Sequence, residues 1–500
     1  MTFAMTFAMP RSALDTMLHN TLKHMLPRGL LLALLALTGP AAHAEIEFPA
    51  PWFEAFKDGA SDAQLQRFLH AMPKGGDLHH HTTGSALAEW WLELGIAAKA
   101  DGYRYLTKTR IENCRYGSNE YGRAPYLLMF RTISEAQWRS LPECERAEYT
   151  PLEELTDAQT AAYLDALRLD QAHEGRMEFF EGLWPRIGAL ASNPQIVADV
   201  IARNLIAFGD EGMMYLEAQV PVFGFQAADG TPVSPDDVLD IYRARIAEDD
   251  VIASGMTLRM QISLLRFAPD AEDMLRRIWA MAARHPDVVA VNMVGREDND
   301  KGYPLRFLDT VRDLRREYSG VRLSIHAGEV DEPNDHIRDT LLLGAERIGH
   351  GVNLITDPEM MLYMRDRHLV EINLISNLLL EYVDAYADHP FPEYLRFGIP
   401  VALSTDDRGM WDSTMTDEFV VAVKEFDLSW QELVTLSRNS LAHAFVEQPT
   451  RDQLLATFDA RINAFETRFR DRGLDAVTTT EPQHRGFLCR RYDLCGPARR

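Results

Sequence analysis

From about residue 75 onward the chain alternates short apolar runs rich in β-formers with stretches of helical periodicity, and few folds accommodate that alternation. Eight such runs lie near 75–80 and at Met213–Gln219, Leu258–Phe267, Val288–Val294, Val321–His326, Arg347–Val352, Leu369–Leu374 and Ile399–Ser404. Between most of them apolar residues recur every 3.6 positions, as in Ala271–Arg284 and Pro304–Glu317. Strands alternating with helices imply a parallel sheet, and eight repeats closing on themselves imply a barrel. The sequence therefore predicts an α/β fold, a (β/α)8 barrel of the TIM type. A lead-in helix is expected over residues 45–70, and covering helices after about residue 430.

Barrels of this kind carry their chemistry at the C-terminal ends of the strands. Four segments fall at such ends: Leu78-His79-His80-His81, His326-Ala327-Gly328-Glu329, Gly349-His350-Gly351 and Ser404-Thr405-Asp406-Asp407. On the strand count, the histidine pair ends strand 1, His326 strand 5, His350 strand 6 and Asp406 strand 8. A mononuclear zinc takes three or four nitrogen or oxygen ligands and keeps one position for water. His79, His81, His326 and Asp406 supply such a set, for one Zn2+ per chain, and leave Glu329, His350 and Asp407 to handle protons. Side chains alternate along a strand, so His79 and His81 share a face and His80 points to the other.

The wording of these segments resembles the adenosine deaminase family: Met72-Pro73-Lys74 before His-x-His, then His-Ala-Gly-Glu, Gly-His-Gly and Thr-Asp-Asp. Val294-Gly295-Arg296-Glu297-Asp298 and an insertion over roughly residues 98–155, after strand 1, are similar to the family's secreted branch, the adenosine deaminase-related growth factors. The resemblance implies a zinc-activated water attacking the amine-bearing carbon of a purine. It implies that Glu329 protonates the neighbouring ring nitrogen, and that His350 takes the water's proton or stabilises the hydroxide. Asp407 would orient the water or bind the purine N7, and the Gly295 N–H would meet a ring nitrogen. Thr83, Glu181 and Trp184 are the further candidates for substrate contact, although Trp184 and Phe180 also suit a core face. Glu297 and Asp298 suit a helix N-cap better than a substrate contact.

The rest of the chain fits an exported enzyme. Lys23 and Arg28 precede an apolar run from Leu30 to Leu37, and Ala42-His43-Ala44 follows. That is the layout of a signal peptide over residues 1–44, with the catalytic domain over 45–500 and a periplasmic or secreted destination. The run falls short of the ~18 apolar residues of a membrane span, so no stable membrane association is expected after cleavage. In an oxidising compartment, proximity pairs Cys114 with Cys144 in the insertion and Cys489 with Cys495 in the tail over 475–500. A net charge of −24 argues against a nucleic-acid partner and suits a small nucleoside. A homodimer is compatible with this reading.

Three departures from the family pattern stand out. Thr82-Thr83-Gly84 follows the histidine pair where the family carries an aspartate that meets the sugar 5′-hydroxyl. Arg408 stands where a proline follows Thr-Asp-Asp, and Gln219 where an arginine follows Tyr-x-Glu. The favoured expectation is hydrolytic deamination of adenosine or 2′-deoxyadenosine to inosine or 2′-deoxyinosine, with release of ammonia. The alternatives are another metal-dependent amidohydrolase or aminopurine deaminase, and a secreted barrel with a binding or signalling role. No strand-4 lysine of the kind that bridges two metals is evident.

Overall fold

The β-rich runs pair in chain order. Strands β1 (Gly76–His81), β2 (Tyr215–Val220), β3 (Thr257–Leu265), β4 (Val288–Val294), β5 (Arg322–Ala327), β6 (Arg347–His350), β7 (Leu369–Ile372) and β8 (Val401–Leu403) form one eight-stranded parallel sheet. The computed structural model describes residues 50–110, 131–299, 301–330, 332–478, 480–492 and 494–495. Strands β2, β6 and β7 are buried throughout, as strands of a parallel sheet covered on both faces must be. The helices Ala271–Arg284 and Leu308–Glu317 form where the 3.6-residue spacing placed them.

The sheet closes into a barrel through the segment that follows β8. The Asp406 N–H donates to the His79 carbonyl at 2.9 Å, and the His81 N–H donates to the Asp406 carbonyl at 3.1 Å. The Asp77 carboxylate adds a second tie, accepting from the Thr405 N–H at 3.2 Å and from Thr405 Oγ1 at 2.6 Å. The β1–β2 register shifts between Asp77 and His80, an irregularity of the sort that re-aims side chains at barrel rims.

The lead-in is two helices, Pro51–Gly59 and Asp62–Ala71, rather than the single one expected. Ser61 breaks the run and starts the second helix with a reciprocal capping box to Gln64. The insertion holds an antiparallel three-stranded sheet in which Tyr105–Lys108 lies between Thr132–Ser134 and Tyr149–Pro151. Tyr105, Leu106, Ile133 and Leu152 are buried there. The tail forms the helix Gly486–Tyr492, and Cys489 is disulfide-bonded to Cys495. The Gly486 N–H donates to Asp412 at 3.0 Å and Arg485 pairs with the same carboxylate at 2.6 Å, docking the tail on the segment after β8. The leader expected over 1–44 lies outside the described residues, as does the expected Cys114–Cys144 pairing through Cys114.

Candidate active site

Closure of the barrel brings β1, β5 and the end of β8 to one point on the C-terminal rim. Asp406 Oδ1 lies 3.4 Å from His79 Nε2 and 3.2 Å from His81 Nε2, and His81 Nε2 lies 3.1 Å from His326 Nε2. One ligand atom from each of His79, His81, His326 and Asp406 lies within 4.8 Å of every other. Ligands held tetrahedrally at zinc bond lengths sit ~3.4 Å apart, so the cluster has the size of such a site.

The hydrogen bonds behind the cluster fix what its atoms offer. Glu371 Oε2 accepts from His79 Nδ1 at 2.8 Å, and Asn292 Oδ1 accepts from His326 Nδ1 at 2.9 Å. Both rings therefore carry their proton away from the cluster and turn a lone pair on Nε2 into it. His79 Nε2 is buried without a hydrogen-bond partner. Imidazole nitrogens and a carboxylate converging at these distances suit a cation, and these residues fit a metal ion. His80 takes no part: its ring faces the other way, 5.5 Å from Phe208 on the helix Pro194–Asp210.

The supporting residues are polar groups set singly into apolar strands. Glu371 on β7 also accepts from Ser324 Oγ at 2.7 Å and from Arg347 Nε at 2.7 Å. Arg347 Nη2 reaches Glu217 of β2 at 2.6 Å, and Glu217 accepts from Gln261 Nε2 at 2.9 Å. Gln261 in turn accepts from Asn292 at 3.1 Å, closing a chain across the barrel floor. None of these six was singled out from the sequence as part of the site. The signal was there, in a lone Glu, Gln or Asn inside runs such as Leu369-Val370-Glu371-Ile372, because a buried polar group must be paired.

Glu329 stands in the turn after β5. The Glu297 carboxylate accepts from the backbone N–H groups of Gly328 at 3.1 Å and Glu329 at 3.0 Å, and from His336 Nδ1 at 2.8 Å. Glu297 thus clamps the turn that carries Glu329, in place of the helix N-cap expected of it. Burial, then the charges of Asp406 and Glu297, hold the Glu329 carboxyl well above the ordinary range. Burial, and then Asp406, raise the Asp407 carboxyl as well. His350 Nε2 lies 3.7 Å from Glu329 Oε2, and burial, then His79, lower its pKa to about 3, so its ring is neutral. His350 and Asp406 both adopt positive φ, 63° and 55°, backbone strain of the kind that gathers at functional sites.

A cavity of about 360 Å³ opens onto this rim, with His81, His326, Glu329, Asp406 and Asp407 on one wall. Phe179, Phe180, Trp184, Leu265, Phe267, Val294 and Gly295 form the rest of the lining. Phe180 and Trp184, which also suited a core face, border this space. The segment Phe179–Leu183 is a π-helical turn, and five-residue spacing sets Phe179 and Trp184 side by side with ring centroids 5.8 Å apart. Gly295 has φ +94°, and a Cβ there would meet Phe267 at 2.7 Å.

Two candidates stand apart from this space. Thr83 is half-buried in the turn after β1 and is not part of the lining. Glu181 is exposed, facing Arg296 at 3.8 Å. The departures from the family pattern also point elsewhere. Arg408 pairs with Glu211 at 3.1 Å and covers Phe208 behind the barrel, and Gln219 accepts from Ser263 Oγ at 2.8 Å.

Comparison with known proteins places this architecture. The adenosine deaminase family model matches residues 146–461, more than half of the chain, although β1 and its histidine pair precede the match. An adenine deaminase of Chelativorans sp. is 34% identical over 212 residues, 41% of this chain and 62% of that protein. An adenosine deaminase of Serratia proteamaculans is 30% identical over 185 residues, 36% of this chain and 53% of that protein. The matched region thus spans less than two thirds of either relative. The crystal structure of an adenine deaminase from Arthrobacter aurescens shares the fold, with a TM-score of 0.56 at 21% identity over 78% of this chain and 99% of that one. With the match over more than half its length, the chain belongs to the adenosine deaminase family.

Proposed function

We propose that this protein is a zinc-dependent deaminase of the purine nucleosides adenosine and 2′-deoxyadenosine, releasing inosine or 2′-deoxyinosine and ammonia. The observation that carries the reading is the place of Glu329 on the wall of an otherwise largely apolar cavity that it shares with His81, His326 and Asp406, where burial raises its carboxyl well above the ordinary range. Hydrolysis of an aminopurine needs a proton delivered to a ring nitrogen as the adjacent carbon becomes tetrahedral. A carboxyl whose proton is held more tightly by burial is the group for that task. His79, His81, His326 and Asp406 would hold the zinc, which when bound supplies an activated water at neutral pH. Glu329 gives the proton, Asp407 orients the attacking water or the purine, and the aromatic wall of Phe179, Phe180 and Trp184 excludes bulk water and packs on the flat base.

Two further elements belong to this proposal. The leader over 1–44 directs the chain out of the cytoplasm, and Cys114–Cys144 forms there. A second reading, deamination of free adenine, draws on Thr83 standing outside the cavity lining, since the sugar contact expected after β1 then has no counterpart there. A relative named adenine deaminase points the same way. The test is ammonia release by the zinc-loaded full chain on adenosine, 2′-deoxyadenosine, adenine and AMP. The highest kcat/KM is expected for the two nucleosides. A higher value for adenine moves the assignment to the base, and no ammonia from any of the four overturns the deaminase reading.

A further inference from the structure

Behind His350 runs a line of side chains that the reaction as described does not use. His389 is buried, and burial lowers its pKa to about 3, so its ring is neutral and holds one proton. The Phe391 backbone N–H donates to His389 Nδ1 at 3.1 Å. A backbone N–H meets only a lone pair, so Nδ1 is bare and the proton sits on Nε2. That Nε2–H lies 3.1 Å from the side chain of Asn377, and the Asn377 atom facing it must be the acceptor, Oδ1. The Asn377 amide is thereby oriented, with its Nδ2 turned to His350 Nδ1 at 3.0 Å.

An amide nitrogen only donates, so His350 Nδ1 is an acceptor and a neutral ring carries its proton on Nε2. Asn373 Nδ2, 3.3 Å from the same Nδ1 and 3.4 Å from Nε2, places a second donor beside the ring. The whole sequence starts from one backbone N–H, whose role is not adjustable.

We infer that Asn377 and His389 are positioning residues that hold His350 as the tautomer protonated on Nε2, so that His350 donates a hydrogen bond into the site and takes no proton there. The inference rests on the deaminase reading for its consequence, and on the hydrogen bonds alone for the tautomer. Of the two roles that the family resemblance implies for His350, only stabilisation of an oxygen beside Glu329 is compatible with this arrangement. Protonating Nδ1 would require the Asn377 amide to turn round, and that would set its Nδ2 against the His389 Nε2–H, two donors face to face.

Asn377→Asp tests this directly. The carboxylate has nearly the shape of the amide and accepts at both ends, so it draws a proton onto His350 Nδ1. The measurement is 15N NMR of the zinc-loaded protein labelled at histidine, with His350 identified by the signals missing in His350→Gln. In the wild type, His350 should show a bare Nδ1 and a protonated Nε2 at neutral pH. In Asn377→Asp its Nδ1 should become protonated. Removal of a fixed donor to developing charge costs about 10²–10³-fold in rate, so kcat on the best aminopurine should fall by that order with KM and zinc content little changed.

A wild-type ring protonated on Nδ1, or on both nitrogens, at neutral pH overturns the inference. So does an Asn377→Asp spectrum identical to the wild type. Should Asn377→Asp fail to fold, the wild-type spectrum alone decides. Absence of activity on any aminopurine would count against the deaminase reading and leave the tautomer measurement intact.

Discussion

Glu371 on β7 accepts a hydrogen bond from His79 Nδ1 at 2.8 Å, from a position where both side chains are fully buried. The bond fixes which nitrogen of His79 faces the metal cluster and raises the basicity of that nitrogen. Loss of such a partner weakens metal affinity by ~10–100-fold. Glu371→Gln should therefore bind zinc ~10–100-fold more weakly in competition with a chelator, and regain activity when zinc is supplied in excess. Undiminished zinc affinity would mean that the orientation of His79 is secured without Glu371.

Gly84 lies against Asp407 so closely that a Cβ at this position would come 1.6 Å from Asp407 Oδ1. No L side chain fits there unless Asp407 moves. Misplacing a catalytic group by about 1 Å costs on the order of 10²-fold in rate. Gly84→Ala is expected to keep its zinc and to lose about that factor in kcat. Wild-type turnover in soluble, zinc-loaded Gly84→Ala would remove Asp407 from the reaction.

Lys74 tests stability rather than chemistry. Its buried amino group, whose pKa burial lowers to about 7, donates to the carbonyls of Leu69 at 2.5 Å and Glu211 at 2.7 Å, and to those of His70 and Met72 at 3.3 Å. It thus caps the C-terminal ends of the helices Asp62–Ala71 and Pro194–Asp210 with hydrogen bonds to their last carbonyls. Hydrogen bonds to a charged group contribute ~1.5–3 kcal/mol, and Lys74→Met leaves the carbonyls unpaired. Denaturant unfolding should show a loss of ~3 kcal/mol, with zinc content and KM unchanged in the folded protein. An unaltered midpoint would contradict the structural role given to this lysine.

The fold was legible because a barrel strand buried on both faces has to be a short apolar run, and all eight runs could be counted. The metal cluster was legible because histidine at a strand end and alternation along the strand leave little choice for His79, His81 and His326. What escaped were residues whose role depends on neighbours distant in the chain. Glu371 reads as an interruption of a strand until His79 and Arg347 are seen on either side of it. Glu297 follows a strand and resembles a cap, and only the approach of the Gly328–Glu329 turn shows what it holds. Of the aromatic wall, Trp184 was a candidate, but Phe179 was hidden by the π-turn at Phe179–Leu183, since a 3.6-residue period does not place it on one face with Trp184. Thr83 and Glu181 were drawn from position relative to a motif, which fixes neither the direction nor the reach of a side chain.

The proton carried by Glu329 is the step on which the proposed chemistry turns, and Glu329→Gln isolates it. The substitution keeps size and polarity and leaves His79, His81, His326 and Asp406 untouched. Zinc content and kcat should be measured on the same preparation. Full zinc occupancy with a fall in kcat of roughly 10²–10⁴-fold is the expected result, since that is the range of general acid catalysis, and KM should change little because the proton moves only as the transition state forms. Full zinc with near wild-type turnover would contradict the assignment of Glu329 as the acid.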